Sequence, residues 1–180
     1  MNIEKIFIDG VLIVKPKIFE DSRGYFFESF NQKLIKDAGI SETFVQDNQS
    51  LSQKDVLRGL HFQKPPHAQG KLVRVITGAV LDVVVDLRKN SATYGKYFSV
   101  ELTEQNKTMF WIPVGFAHGF LTLQDNTIFH YKCTNYYNKD SEASILWDDK
   151  DININWNVET PLLSEKDVAG VALRGFISPF

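Results

Sequence analysis

Apolar and polar positions alternate with a period of two along most of the chain, and Gly, Pro, Asn and Asp clusters interrupt the alternation. The pattern predicts strands over 11–16, 25–30, 43–51, 56–62, 71–77, 79–88, 96–103, 108–112, 117–124, 127–135 and 144–147. Turns are marked by TGAV, PVGF, QDNT and YNKD. Helical spacing appears in one convincing stretch, NQKLIKDAGI, where Asn31 can cap the start, Leu34, Ile35 and Ala38 share a face, and Gly39 ends the helix. The tail, 161–180, fits either a further loop and strand or a turn of helix. Many short strands, no repeat and no low-complexity linker predict an all-β, double-sheet antiparallel jelly roll with one or two short helices. One domain is expected to span 1–180.

Composition narrows the possibilities. Of 180 residues, 43% are hydrophobic and 23% charged, and the 14 Phe, 6 Tyr and 3 Trp suit aromatic-rich inner sheet faces. A net charge of -2, from 20 basic and 22 acidic residues, supplies no broad field for nucleic acid, and no local basic patch substitutes for one. No apolar run approaches the roughly 20 residues of a membrane-spanning helix. The lone cysteine, Cys133, excludes an internal disulfide framework, and MNIEKIFIDG lacks the pattern of a signal peptide, so the cytoplasm is the expected compartment.

Some strands carry the wrong residues for a plain half-buried sheet. In LRGLHFQKPPHAQGKLVRV, parity puts His61 with Gln63, and Lys71 with Val73 and Val75. An ammonium on a valine face must meet an anion, line a wet cavity or snorkel to the rim; otherwise Lys71 simply begins its strand at the surface. WIPVGFAHGFLTL sets His118 beside Phe120 and Thr122 after a Pro-x-Gly turn, and TIFHYKCTNYY sets Tyr131 between Phe129 and Cys133 on one face. Taken singly, each is as well explained as a satisfied core residue.

Taken together, the first two segments resemble the two cupin motifs, His-x-His followed by a carboxylate and Pro-x-Gly-x-x-His. Here Gln63 stands at the second histidine position and Lys71 lies where the carboxylate is expected, which leaves His61 and His118 as too few ligands for a metal. The order and spacing of DSRGYFFESF, FVQDNQSLS, LRGLHFQ, QGKLVRV, GAVLDVVVDLR, PVGFAHGF, YKCTNYY, SEASILWDD, INW and LSEKD resemble the dTDP-4-dehydrorhamnose 3,5-epimerase family from about residue 3 to residue 168.

That resemblance implies a homodimeric cupin-like jelly roll that acts, without cofactor, on a dTDP-linked 4-keto-6-deoxyhexose. His61 is then the base, held by Asp167; Tyr131 is the proton donor; and Lys71 stabilises charge on the C4 oxygen. His118 bonds the sugar, with Asp82 as its orienting partner. Arg58 and Arg23 bind the diphosphate, while Gln63, Gln46 and Asn48 contact the ligand. Tyr137 stacks on the base, and Glu142 and Lys166 complete the pocket. Phe26 and Glu28 belong to an N-terminal segment that reaches the neighbouring subunit. Three other readings remain: inversion at C3 alone, a metal-dependent cupin, and a non-catalytic sugar-nucleotide binder.

Overall fold

The computed structural model describes residues 1–180. Its strands are β1 (Asn2–Lys5), β2 (Leu12–Lys15), β3 (Phe19–Asp21), β4 (Gly24–Phe26), β5 (Gln46–Ser52), β6 (Leu57–Gln63) and β7 (Lys71–Thr77). They continue with β8 (Ala79–Asp86), β9 (Tyr97–Thr103), β10 (Met109–Ile112), β11 (Phe116–Thr122), β12 (Thr127–Cys133) and β13 (Glu142–Ser144). Helix α1 (Gln32–Asp37) precedes β5, and α2 (Glu165–Val168) lies in the tail. A six-stranded sheet, β1-β2-β10-β7-β12-β5, faces a five-stranded one, β13-β6-β11-β8-β9, and β3 and β4 form a separate hairpin. Every named strand pair is antiparallel, as the jelly-roll expectation requires.

Alternation puts one face of each sheet inward. Val73, Val75, Phe110 and Phe129 of one sheet meet Val80, Val84, Leu102, Phe116 and Phe120 of the other in a continuous core. The opposite faces are covered too. Leu57, Leu60, Val83, Val85 and Leu121 pack under Ile145, Ile152 and Trp156 of the segment after β13. On the other side Leu72, Met109 and Trp111 pack under Ile35 and Ile40, with Phe30 and Phe44 beside them. Strand β8 is consequently buried nearly throughout, although it carries Asp82 and Asp86.

Several expected boundaries move. The strand expected over 25–30 ends at Phe26, since Asn31 already caps α1 through bonds from the Lys33 and Leu34 amides. The strand expected over 144–147 runs instead from Glu142 to Ser144, antiparallel to β6. The polar stretch Asn2–Lys5, not expected as a strand, pairs with β2 at the sheet edge. The tail resolves as a short helix: Ser164 and Asp167 cap each other's backbone amides, a reciprocal arrangement that four residues can sustain.

One crossing fixes how β6 and β11 meet. Gly59 has φ 153°, and a Cβ there would stand 2.6 Å from the Gly119 Cα on the adjacent strand. The nearest atoms are all backbone of β11, which has no flexible side-chain end to move aside. Gly59→Ala is expected to destabilise the fold by about 2–4 kcal/mol, combining overpacking with a backbone conformation that L residues avoid. Denaturant melts of the two proteins measure the difference.

Candidate active site

The β6–β11 pairing determines which side chains share the space between the sheets. His61 pairs with His118, but the next partners are Arg58 and Phe120, so two steps along β11 match three along β6. The slip brings Arg58 and His61 to one side, although strict alternation would place them on opposite faces. Both line a cavity of about 240 Å³ whose walls also include Lys71, His118, Tyr131 and Asp167. The six-stranded sheet contributes Lys71 and Tyr131, the five-stranded sheet contributes His61 and His118, and α2 contributes Asp167.

Behind His61 stands a carboxylate. Its Nε2 lies 2.9 Å from Asp167 Oδ1, tilted away from the line of a straight hydrogen bond, so the contact is chiefly electrostatic. The Gly59 amide donates to Oδ1 at 3.0 Å, and Ser164 donates its amide and its hydroxyl to Oδ2 at 3.0 and 2.5 Å. Burial alone would raise the pKa of Asp167; the contact with His61 and the donors at Ser164 and Gly59 outweigh it and hold the carboxyl well below the usual carboxylate range. A fixed anion so placed stabilises an imidazolium at His61.

A second pair lies deeper. His118 Nε2 is 3.0 Å from each oxygen of Asp82, and both residues are buried. Burial pushes Asp82 up and His118 down, so their shared environment favours the neutral forms. Lys71 is half-buried, with its Nζ 5.8 Å from the centre of the Tyr131 ring. Desolvation is the largest influence on its ammonium and pushes its pKa down. Burial pushes the Tyr131 phenol up, keeping its proton in place at neutral pH.

The rim assembles residues from four segments. Lys166 meets Glu142 in an ion pair, Tyr137 donates its hydroxyl to Glu142 at 3.2 Å, and the Tyr137 amide donates to Gln46 at 3.0 Å. Gln46 donates to Asn48 at 3.1 Å, and Asn48 donates to the Cys133 sulfur at 3.6 Å. Arg58 reaches Ser52 Oγ at 3.2–3.3 Å. Lys71, Arg58 and Lys166 are therefore three cations around one opening.

Eight expected contacts do not line the cavity: Gln46, Asn48, Tyr137 and Glu142 adjoin it through the chain of bonds that starts at Lys166, and Gln63, Arg23, Phe26 and Glu28 fall elsewhere. Gln63 does not line the cavity: its amide nitrogen donates to the His67 and Tyr136 carbonyls, and its oxygen accepts from the Asn138 amide. Its capacity is spent pinning loops at the end of β6, so it is a structural clamp in this chain. Arg23 is highly exposed and forks onto Asp21, Phe26 is 66% exposed, and Glu28 accepts from Asn31. These three lie outside their own chain's cavity. In turn the cavity wall includes Gln49, Ser50, Phe120, Phe129 and Ser164, which sequence reasoning missed. Ser50 shares strand parity with Gln46 and Asn48, and Ser164 begins a Ser-x-x-Asp capping pattern; both signals were present.

The donor set does not fit a metal. Nowhere do three His, Cys, Asp or Glu side chains converge, His118 is committed to Asp82, and an ammonium occupies the same cavity. A two-sheet antiparallel sandwich with imidazole, phenol and ammonium on one enclosed space is a cupin-type jelly roll arranged for acid–base chemistry. The chain belongs to the dTDP-4-dehydrorhamnose 3,5-epimerase family, whose match covers residues 5–175. It is 56% identical over 171 residues to the dTDP-4-dehydrorhamnose 3,5-epimerase of Shigella flexneri, covering 94% of each chain. It also superposes, with TM-score 0.92 and 49% identity, on the Legionella pneumophila dTDP-6-deoxy-D-glucose-3,5-epimerase crystallised with dTDP-4-keto-L-rhamnose, covering 96% and 93% of the two chains. With the Bacillus anthracis dTDP-4-dehydrorhamnose 3,5-epimerase bound to TDP and pyrophosphate, the TM-score is 0.94 at 42% identity, over 96% and 99%.

The depressed Asp167 makes a stability prediction. Because its folded pKa lies below its unfolded value, its contribution is fully present above about pH 5 and is lost as pH falls toward the folded pKa. Asp167→Asn should start less stable at pH 7 and lose less of its stability between about pH 5 and pH 2 than the parent. Urea melts across that range report both differences.

Proposed function

We infer that the chain epimerises dTDP-4-dehydro-6-deoxy-D-glucose at C3 and C5, giving dTDP-4-dehydro-L-rhamnose. The observation that carries this reading is a carboxylate-backed imidazole lining the same cavity as an ammonium and a protonated phenol. Carbons 3 and 5 both flank the C4 ketone, so loss of either proton leaves an enolate whose negative charge falls largely on the C4 oxygen.

His61 removes the proton and becomes imidazolium, stabilised by the Asp167 anion. Lys71 faces the oxygen where charge grows, and its partly desolvated site strengthens that attraction. Tyr131 returns a proton to the carbanion carbon from the opposite face, which inverts the centre. His61 then releases its proton to solvent and the tyrosinate regains one, restoring the starting state. Repetition at the second carbon requires the ring to present it to the same base. His118, kept neutral and oriented by Asp82, bonds the sugar, and no redox or metal step is involved.

Arg58 and Lys166 at the rim suit the diphosphate, and Gln46, Asn48, Tyr137 and Glu142 form the adjoining wall for the nucleoside. Arg23, Phe26 and Glu28 cannot serve their own cavity, so we assign them to that of a second copy, in a homodimer that exchanges its N-terminal segment. The β3–β4 hairpin supports this: it joins neither main sheet and exposes Phe19, Tyr25 and Phe26. We place the reaction in the cytoplasm, where an unpaired thiol such as buried Cys133 stays reduced. No helix is long and apolar enough to cross a membrane.

Turnover in deuterium oxide, followed by proton NMR, tests the reading: label should enter both C3 and C5, and label at C3 alone would identify a single-centre epimerase. His61→Ala should reduce kcat by roughly 10²–10⁴-fold and Lys71→Met by roughly 10²–10³-fold. Tyr131→Phe should still exchange protons with solvent but return them to the original face. Inversion at full rate by that variant would remove the donor role.

A further inference from the structure

We propose that Ser164 is a positioning residue for the reaction: its hydroxyl and amide lock Oδ2 of Asp167, so that Oδ1 is the oxygen presented to His61. The inference rests on the reading of His61 as base and extends it to a residue that never touches the abstracted proton.

The geometry divides the two carboxylate oxygens between two tasks. Oδ2 accepts from the Ser164 hydroxyl at 2.5 Å and from the Ser164 amide at 3.0 Å. Oδ1 accepts from the Gly59 amide at 3.0 Å and stands 2.9 Å from His61 Nε2. A carboxylate bonded at one oxygen only can rotate about its Cβ–Cγ axis; donors on both oxygens prevent this. Asp167 sits in a helix of only four residues, with no long element to hold it. Ser164 therefore does two things: it caps α2 by accepting the Asp167 amide, and it immobilises the side chain of that same residue. A capping box in an ordinary helix uses its acidic member only to satisfy a backbone amide. Here the acidic member is buried and reaches the cavity as well.

The hydroxyl also adjusts charge. It draws electron density from the carboxylate and so lessens the pull of Asp167 on a proton at His61. Removing it leaves a stronger anion beside the imidazole, which then holds its proton to higher pH. Loss of the hydroxyl should thus lower kcat and move the acid limb of the kcat/KM profile upward.

Capping and positioning are separable by choice of substitution. Glycine is tolerated at a helix N-cap nearly as well as serine but carries no hydroxyl, whereas threonine keeps it. In Ser164→Gly, kcat should fall by roughly tenfold, the loss expected of one hydrogen bond to a charged group. The acid limb should move to higher pH, with substrate KM little changed. Ser164→Thr should recover most of kcat and return the limb toward its original position. Thermal melts verify that each variant is folded. If Ser164→Gly is folded and keeps both the parent kcat and the parent acid limb while His61→Ala is inactive, the positioning role is overturned and the base assignment stands. If His61→Ala turns over the keto sugar at the parent rate, both are overturned.

Discussion

An ammonium held between two apolar sheets is the constraint on which the rest of this site depends. Lys71 continues the inward valine face of β7, with Val73 and Val75 in the core. Desolvation opposes its charge, and no ion pair closes directly on the amine, since the nearby carboxyls of Asp82 and Glu142 are engaged by His118 and Lys166. A cation left partly uncompensated in a low-dielectric pocket attracts negative charge that appears only during reaction. Burial of Tyr131 complements this, since the same desolvation that weakens an ammonium keeps a phenol protonated.

The carboxylates are kept in separate roles by their surroundings. Asp167 accepts from Gly59 and Ser164 as well as facing His61, and it stays ionised. Asp82 has His118 as its hydrogen-bonding side-chain partner, and burial drives it the other way. One histidine thereby faces a permanent anion suited to stabilising imidazolium, and the other is pushed toward neutrality, suited to hydrogen bonding a neutral sugar. Two His–Asp contacts of similar length acquire different chemistry from the donors around the acid.

Much of this was legible in the sequence because period-two patterning survives wherever one face of a strand is apolar. Strands β6, β7, β8 and β12 fall within a residue or two of their expected limits, and the parity of Lys71 with Val73 and Val75 is observed. Asn31 and Gly39 marked α1 correctly. Parity misled where the ladder is irregular: the slip between His61 and Arg58 is invisible to alternation, as is the spending of Gln63 on the loop carbonyls of His67 and Tyr136. The edge strand Asn2–Lys5 is too short and polar to signal itself. Asp167 came from resemblance alone, because nothing local in LSEKD reports that Gly59, far away in the chain, donates to it.

The central claim is that the Lys71 ammonium polarises the C4 ketone inside the cavity. Infrared difference spectroscopy of the keto sugar, carbon-13 labelled at C4 and bound to an inactive His61→Asn variant, measures this directly. The account predicts a carbonyl stretch at lower frequency in that complex than in the same complex carrying Lys71→Met as well. Identical frequencies, with the sugar bound in both, would contradict it.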